Sequence, residues 1–180
     1  MPQLTFRDAQ ALDIPAIVTL VQSAYRGEAS RAGWTTEADV LDGQRIDPQG
    51  VADCIRLDDS VVLLAEAGGA LLACAHVARV DGEGYFGMFA VRPDQQGSGI
   101  GSKLLAEAER RVREGWNCDH MGMTVIDLRE ELIAWYQRRG YARTGRYKPF
   151  PYGDERFGIP KRDDLRFEWL VKKLEKDEAA

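Results

Sequence analysis

Val91-Arg92-Pro93-Asp94-Gln95-Gln96-Gly97-Ser98-Gly99-Ile100-Gly101-Ser102-Lys103 joins an apolar stretch to a segment with helical spacing. Glycines let the backbone turn sharply and come close to a ligand, and the first amide N–H groups of a helix have no partner within the helix. Because the positive end of the helix dipole stands behind those amides, the stretch predicts an anion site suited to a pyrophosphate. A plain strand-to-helix turn is the competing interpretation.

The glycine spacing excludes two other phosphate-binding loops. A P-loop needs Gly-x-x-x-x-Gly-Lys-Ser/Thr, whereas here Lys103 follows Ser102. The Rossmann fingerprint also fails, because its glycine spacing differs and the upstream strands do not open a βαβ unit. A nucleotide-phosphate binder therefore remains only as an alternative.

The residues before the loop predict a three-stranded meander. Residues 61–67 and 70–80 are strand-like and flank the hairpin signal Gly68-Gly69. A second turn at residues 81–84 leads into a strand at 85–91, which runs into the glycine loop. The strand, loop and following helix then lead to another strand, which predicts a parallel, right-handed connection.

Hydrophobic spacing and turn residues predict the rest of the chain. In chain order, the other predicted elements are a strand at 4–7, a helix at 14–25, a helix capped by Thr35 or Thr36, a short helical stretch at 51–57, a helix at 102–115, a strand at 121–126, a helix at 130–139 ended by Gly140, and strands at 141–146 and 165–170 separated by a loop at 147–164. The order of elements predicts an α/β domain.

Length and charge limit the classes of protein to consider. The 180 residues suit a single domain, expected over residues 1–174, with a charged tail at 175–180 that we expect to fray. A net charge of −5 argues against sequence-independent nucleic-acid binding, which needs clustered Lys and Arg. No apolar run is long enough to span a bilayer, and the first residues lack the layout of a signal peptide. We therefore expect a cytoplasmic protein without a membrane partner.

Cysteine and histidine usage predicts no metal site. The three cysteines, Cys54, Cys74 and Cys118, are widely spaced, and the two histidines are His76 and His120. Structural zinc sites need four such ligands at close spacing, so we expect reduced thiols and no metal. Cys118 as a covalent acyl carrier is an alternative, although an inert thiol fits its distance from the glycine loop better.

With its context included, the glycine loop resembles the acetyl-CoA loop of the GNAT N-acetyltransferase superfamily. The superfamily motif, Gln/Arg-x-x-Gly-x-Gly/Ala, is met by Gln96, Gly99 and Gly101. The resemblance implies a central mixed, mostly antiparallel sheet of about six to seven strands, flanked by helices and splayed where acetyl-CoA enters. It also implies acetyl-CoA as co-substrate, bound through residues Phe89, Ala90, Val91, Gln96, Gly97, Ser98, Gly99, Ile100, Gly101 and Ser102.

The helix at residues 130–139 resembles the second motif of the superfamily, in which a tyrosine lies four residues before a glycine. Tyr136 occupies that position relative to Gly140. The resemblance implies that the Tyr136 hydroxyl protonates the leaving thiolate and that the Phe89 amide holds the carbonyl oxygen. Where many members carry an asparagine, this chain has Arg129, which we expect to reach the cofactor. Simple packing is the alternative role for Tyr136.

The sequence leaves the general base and the acceptor open. Glu83, His76 and Glu37 are candidates to take the proton of the amine, and water is a fourth. The resemblance implies an amine acceptor, either a small molecule or a peptide, bound by the early helices and the late strand loop. Those segments contain Tyr25, Arg26, Trp34, Thr35, Glu37, Arg45, Arg146, Tyr147, Phe150 and Tyr152. Their arginines hint at an acceptor that carries a carboxylate.

Two readings of the whole chain follow from these motifs. The first is an N-acetyltransferase in which the amine attacks acetyl-CoA directly in a ternary complex. The second is a non-catalytic module that binds or senses CoA on the same fold. The oligomeric state stays open, with a homodimer among the alternatives.

Overall fold

A seven-stranded mixed sheet forms the centre of the computed structural model, which describes residues 2–175. The strands are β1 (Thr5–Asp8), β2 (Leu41–Asp42), β3 (Ser60–Ala67), β4 (Ala70–Val80), β5 (Glu83–Val91), β6 (His120–Ile126), β7 (Ala142–Pro149), β8 (Ile159–Pro160) and β9 (Arg166–Lys173). The order across the sheet is β1-β3-β4-β5-β6-β9-β7, and β2 pairs with β8 apart from it. Only β5 and β6 are parallel neighbours in this sheet, so the predicted mixed, mostly antiparallel topology is confirmed.

Four α-helices in the described residues cover the two faces of the sheet. They are α1 (Ile14–Tyr25), α2 (Pro48–Arg56), α3 (Ile100–Trp116) and α4 (Glu130–Gln137). Helix α2 starts as capping rules require, since Pro48 is its first residue and the Asp47 carboxylate accepts from the Gly50 amide at 2.7 Å. The predicted single α/β domain and the order of its main elements are confirmed.

Alternating residues of the meander build a core on each face of the sheet. On β3, Val62 and Leu64 pack in the cluster that contains residues of α1 and α2. Leu63 and Ala65 point the other way and pack in the cluster with α3 and α4. This period-two alternation is the geometry of a strand buried on both faces, and it provides an apolar surface for helices on each face of the sheet.

Two local predictions are wrong. The helix predicted after Thr35 or Thr36 is instead a set of turns, in which the Thr36 hydroxyl accepts from the Ala38 amide at 3.1 Å. The chain then becomes extended at β2, because β2 pairs with β8. Strand β8 lies inside the predicted loop at 147–164, and the first residues of that predicted loop belong to β7 instead. Interactions between distant residues decided both cases.

The parallel pair β5 and β6 separates after only two residue pairs. Gly84 is opposite Met121 and Tyr85 is opposite Gly122, and no later residues of these strands pair. Further along β5, the register with β4 shifts between Cys74 and His76, beside Met88 at a φ of +48°. A bulge of this kind bends a strand and increases its twist, so β5 turns away from β6 and a slot opens between them, as predicted.

The charged tail predicted at 175–180 lies almost wholly outside the described residues. Of residues 175–180, Glu175 is exposed and residues 176–180 lie outside the described part of the chain, so their fraying stays a prediction. No helix within residues 2–175 has the length and apolar character to cross a membrane.

Packing at the parallel junction predicts that Gly84 cannot be enlarged. A Cβ on Gly84 would lie 2.4 Å from Val112 Cγ1 of α3 and 3.0 Å from the His120 carbonyl oxygen. We expect Gly84→Ala to lower the free energy of unfolding by about 1–3 kcal/mol, the usual cost of overpacking, as measured by urea denaturation.

Gly122 provides the matched control on the neighbouring strand. Its nearest neighbours would lie 3.6 Å or more from an added Cβ, so Gly122→Ala is expected to change stability by less than about 1 kcal/mol. Equal stability of the two variants would contradict the tight junction.

Candidate active site

The glycine loop gives α3 an N-terminus with exposed amides. Gly99 is the N-cap with a φ of +88°, and Gly97 has a φ of +84°, both in the region that favours glycine. The helix therefore begins at Ile100, two residues earlier than predicted, and its first backbone bond runs from the Lys103 amide to the Gly99 carbonyl at 3.2 Å. The amides before Lys103 precede the hydrogen-bonded helix, as an anion site requires.

Gly101 lets α3 pack closely on the slot. A Cβ at this position would lie 3.0 Å from Phe89 Cζ and 3.5 Å from Val91 and Trp135 side-chain atoms. Position 101 therefore requires glycine because α3 packs closely there, and not because the backbone has a positive φ. It brings the helix N-terminus against the end of β5.

A first cavity, here named the loop cavity, has a volume of about 540 Å³ and lies between the glycine loop and α4. Its lining consists of Trp34, Thr35, Phe89, Val91, Gln95, Gln96, Gly97, Gly99, Gly101, Ser102, Glu131, Leu132, Ala134, Trp135, Arg138 and Arg139. Most of the predicted loop residues therefore share one cavity. Ala90 packs in the α1 core, and Ile100 packs beside the α3 core. Ser98 bonds the Gln95 carbonyl at 2.5 Å.

Sequence reasoning missed Arg138 and Arg139, the two cations of the loop cavity. The Arg139 guanidinium lies 3.6 Å from the Trp135 ring centroid and donates to Ser102 Oγ at 2.9 and 2.6 Å. It therefore joins α4 to the first turn of α3. The sequence signal for the two arginines was their position one helical turn after Trp135, at the end of the predicted helix that carries Tyr136. The arginines give the cavity the positive charge that phosphate groups need.

Gln96 ties the glycine loop to a distant segment. Its Oε1 accepts from the Trp34 amide at 2.8 Å, and its Nε2 donates to Thr35 Oγ1 at 2.9 Å and to the Val91 carbonyl at 3.1 Å. The side chain of this motif residue thus holds residues 34–35 beside the end of β5. Gln96 therefore contributes to a ligand site by holding residues 34–35 in place.

A second cavity, here named the inner cavity, has a volume of about 280 Å³ and opens beyond Phe89. Tyr25, Arg26, Glu37, Arg45, Tyr85, Arg129, Tyr136, Lys148, Phe150 and Phe157 are among its lining residues. Phe89 and Leu132 line both cavities, so the two spaces meet at the splay of β5 from β6. Arg146, Tyr147 and Tyr152, which we expected near an acceptor, lie outside its lining.

Tyr136 has the environment of a proton donor. Its side chain is buried against Trp135 and Tyr141, and it faces the inner cavity. Burial raises the pKa of Tyr136 well above its ordinary value, with a smaller contribution from Tyr25. The hydroxyl therefore keeps its proton at neutral pH.

Phe89 is held at the boundary of the two cavities. Its carbonyl accepts a hydrogen bond from the Tyr25 hydroxyl, and its ring packs 5.1 Å from the Phe86 ring centroid and 5.7 Å from that of Trp135. Phe89 also follows directly on the bulge residue Met88. The backbone that we expected to face the thioester is therefore fixed in place by α1 and by the core.

A buried ionic cluster connects the segment after α1 to α4. Arg26 pairs with Glu37, and Arg129 Nη1 lies 3.4 Å from Glu37 Oε2. Burial opposes the charged form of Glu37, but the charges of Arg129, Arg26 and Arg45 outweigh it, so the pKa of Glu37 is lowered. Arg129 also donates to the Thr35 carbonyl. The structure places Arg129 in the inner cavity and not in the loop cavity.

The candidate bases lie in different environments. Glu83 is exposed at the start of β5 and lines neither cavity. His76 lies outside both linings, 2.7 Å from Ser60 Oγ, and burial lowers its pKa. Glu37 lines the inner cavity, but its lowered pKa makes it a weak base. The geometry therefore brings only Glu37 to the inner cavity.

Cys118 lies away from this chemistry and lines neither cavity. Cys118 is buried, its Sγ lies 3.7 Å from the Trp116 carbonyl oxygen, and burial raises its pKa. Within residues 2–175, no group of three His, Cys, Asp or Glu side chains is arranged to hold a metal ion.

The Gln96 contacts predict a specific local opening. We expect Gln96→Ala to increase amide hydrogen exchange at residues 34–35 and to lower the free energy of unfolding by about 1 kcal/mol, because the exposed and half-buried partners of Gln96 lose their hydrogen bonds. Hydrogen exchange read by mass spectrometry measures the first effect, and urea denaturation the second. Gln95→Ala is the control, and equal exchange in both variants would contradict the link.

A known protein family matches more than half of the chain. The model of the family described as Acetyltransferase (GNAT) family matches residues 17–141. None of the curated protein sequences compared matches the chain.

Several solved structures have the same fold. The ribosomal-protein-S18-alanine N-acetyltransferase of Escherichia coli is 15% identical with a TM-score of 0.71, covering 98% of this chain and 97% of that one. A ribosomal-protein-alanine N-acetyltransferase of Brucella melitensis is 20% identical with a TM-score of 0.69, covering 94% and 99%. A streptothricin acetyltransferase from Bacillus anthracis, solved in complex with acetyl coenzyme A and described in its name as putative, is 14% identical with a TM-score of 0.57, covering 68% and 67%.

These likenesses support the fold, and the family match spans both the glycine loop and Tyr136. The chain therefore belongs to the GNAT acetyltransferase family.

Proposed function

We propose that this protein is an acetyl-CoA-dependent N-acetyltransferase that transfers the acetyl group directly to an amine in a ternary complex. One observation carries the proposal: the loop cavity and the inner cavity meet at Phe89 and Leu132, where β5 leaves β6. A cofactor bound in the first cavity and an acceptor bound in the second would meet at this boundary. The family membership and the acetyl-CoA complex of the Bacillus anthracis neighbour support the same reading.

The residues of the loop cavity fit acetyl-CoA. The amides around Gly97 and Gly99 and the N-terminus of α3 suit a pyrophosphate, and Arg138 and Arg139 supply positive charge. The edge of β5 beyond its pairing with β6 suits an extended pantetheine arm. When bound, acetyl-CoA would supply an activated acyl group.

The residues at the boundary have separate tasks. Tyr136 holds a proton on its hydroxyl and, in the proposal, passes it to the departing sulfur. Phe89, held through its carbonyl by Tyr25, presents its amide to the carbonyl oxygen under attack. Trp135 and Leu132 exclude water from the boundary.

Water in the inner cavity would take the proton of the amine. Glu37 is the one carboxylate among the described residues that line this cavity, and its two arginine partners stabilise its charged form. A carboxylate held in this way accepts protons poorly. The proposal assigns no step to Glu83 or His76, which lie outside the cavity.

The wider setting in this proposal is a cytoplasmic enzyme with a small-molecule or peptide amine as partner. It includes no nucleic-acid or membrane partner, which the net charge of −5 supports for nucleic acid. A homodimer would be compatible with it.

Replacing Tyr136 tests the proposed acid. We expect Tyr136→Phe to reduce kcat by about 100-fold or more, because the leaving sulfur loses its proton donor, while acetyl-CoA still raises Tm as in the unmodified protein. Acceptor-dependent thiol release measures turnover, and thermal denaturation measures binding.

Tyr141→Phe is the matched control. The Tyr141 hydroxyl bonds Glu109 at 2.8 Å and lines neither cavity, so this variant should keep its turnover. Unchanged turnover in Tyr136→Phe would remove the acid role. Binding of acetyl-CoA without thiol release for any acceptor would instead favour the non-catalytic module.

The raised pKa of Tyr136 predicts the shape of the pH profile. Because the phenol keeps its proton to above its ordinary pKa of 10.0, kcat/KM should rise with pH from 6 to 9 as the acceptor amine loses its proton. No fall due to Tyr136 is expected in that range. A fall that begins between pH 7 and 9 and disappears in Tyr136→Phe would contradict the assignment.

A further inference from the structure

The inner cavity carries an excess of positive charge. Its lining includes the cations Arg26, Arg45, Arg129 and Lys148, and Glu37 is the one carboxylate among the described lining residues. Like charges at close range destabilise one another unless an anion lies between them. Glu37 forms salt bridges with Arg26 and Arg129, whereas Arg45 and Lys148 form no salt bridge with the described residues, although the charge of Arg45 also acts on Glu37.

Arg26 has an unused donor in this cavity. Its side chain is 2% exposed. One terminal nitrogen pairs with Glu37 and the other donates to the Phe157 carbonyl at 3.2 Å. The Arg26 Nε–H, in contrast, has no hydrogen-bond partner among residues 2–175. Buried donors are nearly always paired, so this nitrogen calls for an acceptor that residues 2–175 do not supply.

Arg45 is one of the two cations of this cavity that form no salt bridge within residues 2–175. Its guanidinium carbon lies 5.6 Å from the centroid of the Tyr25 ring, and the group makes no ion pair with any residue that the structure describes. Arg129 lies 5.5 Å from the same ring but is bound to Glu37 and to the Thr35 carbonyl. Arg45 is therefore the residue at which an acidic group gains most.

Tyr25 sets the distance between the cations and the reacting end. Its hydroxyl reaches the Phe89 carbonyl, and Arg45 and Arg129 contact its ring. The cations and the Phe89 backbone are therefore in contact with the same buried side chain. A volume of about 280 Å³ is at the small end of ligand sites and suits a compact molecule.

We propose that the acceptor is a small amino acid-like molecule whose carboxylate binds Arg45 and the Arg26 Nε–H while its amine faces Tyr136. This inference rests on the proposed function and gives it a substrate class. Arg45 is then a specificity-determining residue, since an uncharged acceptor leaves its guanidinium and the buried Arg26 donor without a partner.

Matched acceptors test the inference. Leucine, methionine and glutamate are each compared with their α-carboxamide and with the amine that lacks the α-carboxylate, by acceptor-dependent thiol release. We expect kcat/KM to be about 10- to 100-fold higher for the free acids, the ratio that one charge-assisted hydrogen bond gives. Equal or better use of the amides and amines would overturn the inference.

The variant Arg45→Gln tests the residue. We expect it to raise KM for the free acids about 10-fold or more, with little change for the amides. Arg162→Gln is the control, because Arg162 is exposed and its guanidinium contacts only Asp164 among the described residues. Equal loss for acids and amides in Arg45→Gln would overturn the assignment, and circular dichroism checks the fold of both variants.

A binding measurement separates this inference from the proposed function. Calorimetric titration with N-acetylleucine and with its amide needs no turnover, and we expect only the acid to bind, with a loss of affinity in Arg45→Gln. Such binding without any acetyl-CoA effect would support the anion site and overturn the transferase. Turnover of uncharged amines without carboxylate binding would do the reverse.

Discussion

The early separation of β5 from β6 is the constraint on which the rest of the molecule depends. Two parallel residue pairs, at Gly84 and Tyr85, hold the strands together before the bulge at Met88 turns β5 away. Strand edges that leave a sheet expose unpaired amides and carbonyls, and here both cavities use that edge. The slot exists because the tight packing around Gly84 fixes where the strands part.

Contacts between distant segments then join the two cavities into one site. Gln96 holds residues 34–35 against the glycine loop, and Arg129 reaches the Thr35 carbonyl from the start of α4. The segment at residues 34–37 is therefore bonded both to the loop cavity and to the inner cavity. These hydrogen bonds explain why a loop without regular structure is held so closely.

Buried charge gives the inner cavity its character. A buried ion pair stabilises a fold little by itself, because desolvation opposes the attraction. The pairing of Glu37 with Arg26 and Arg129 instead fixes the orientation of groups around the inner cavity. It also lowers the pKa of Glu37, which makes this carboxylate a poor base, and the proposed acceptor site relies on Arg45 for its selectivity.

Local patterns in the sequence determined the meander, the helix order, the glycine loop and the place of Tyr136, because period-two and helical spacing and the turn glycines act over a few residues. The bond of Gln96 to residues 34–35 and the burial of Glu37 were decided by tertiary structure alone. Tertiary structure also decided the turns at 36–40, because β2, which follows them, pairs with β8 more than 100 residues later in the chain. Such pairings depend on how the sheet brings remote segments together, and no spacing within one segment encodes them.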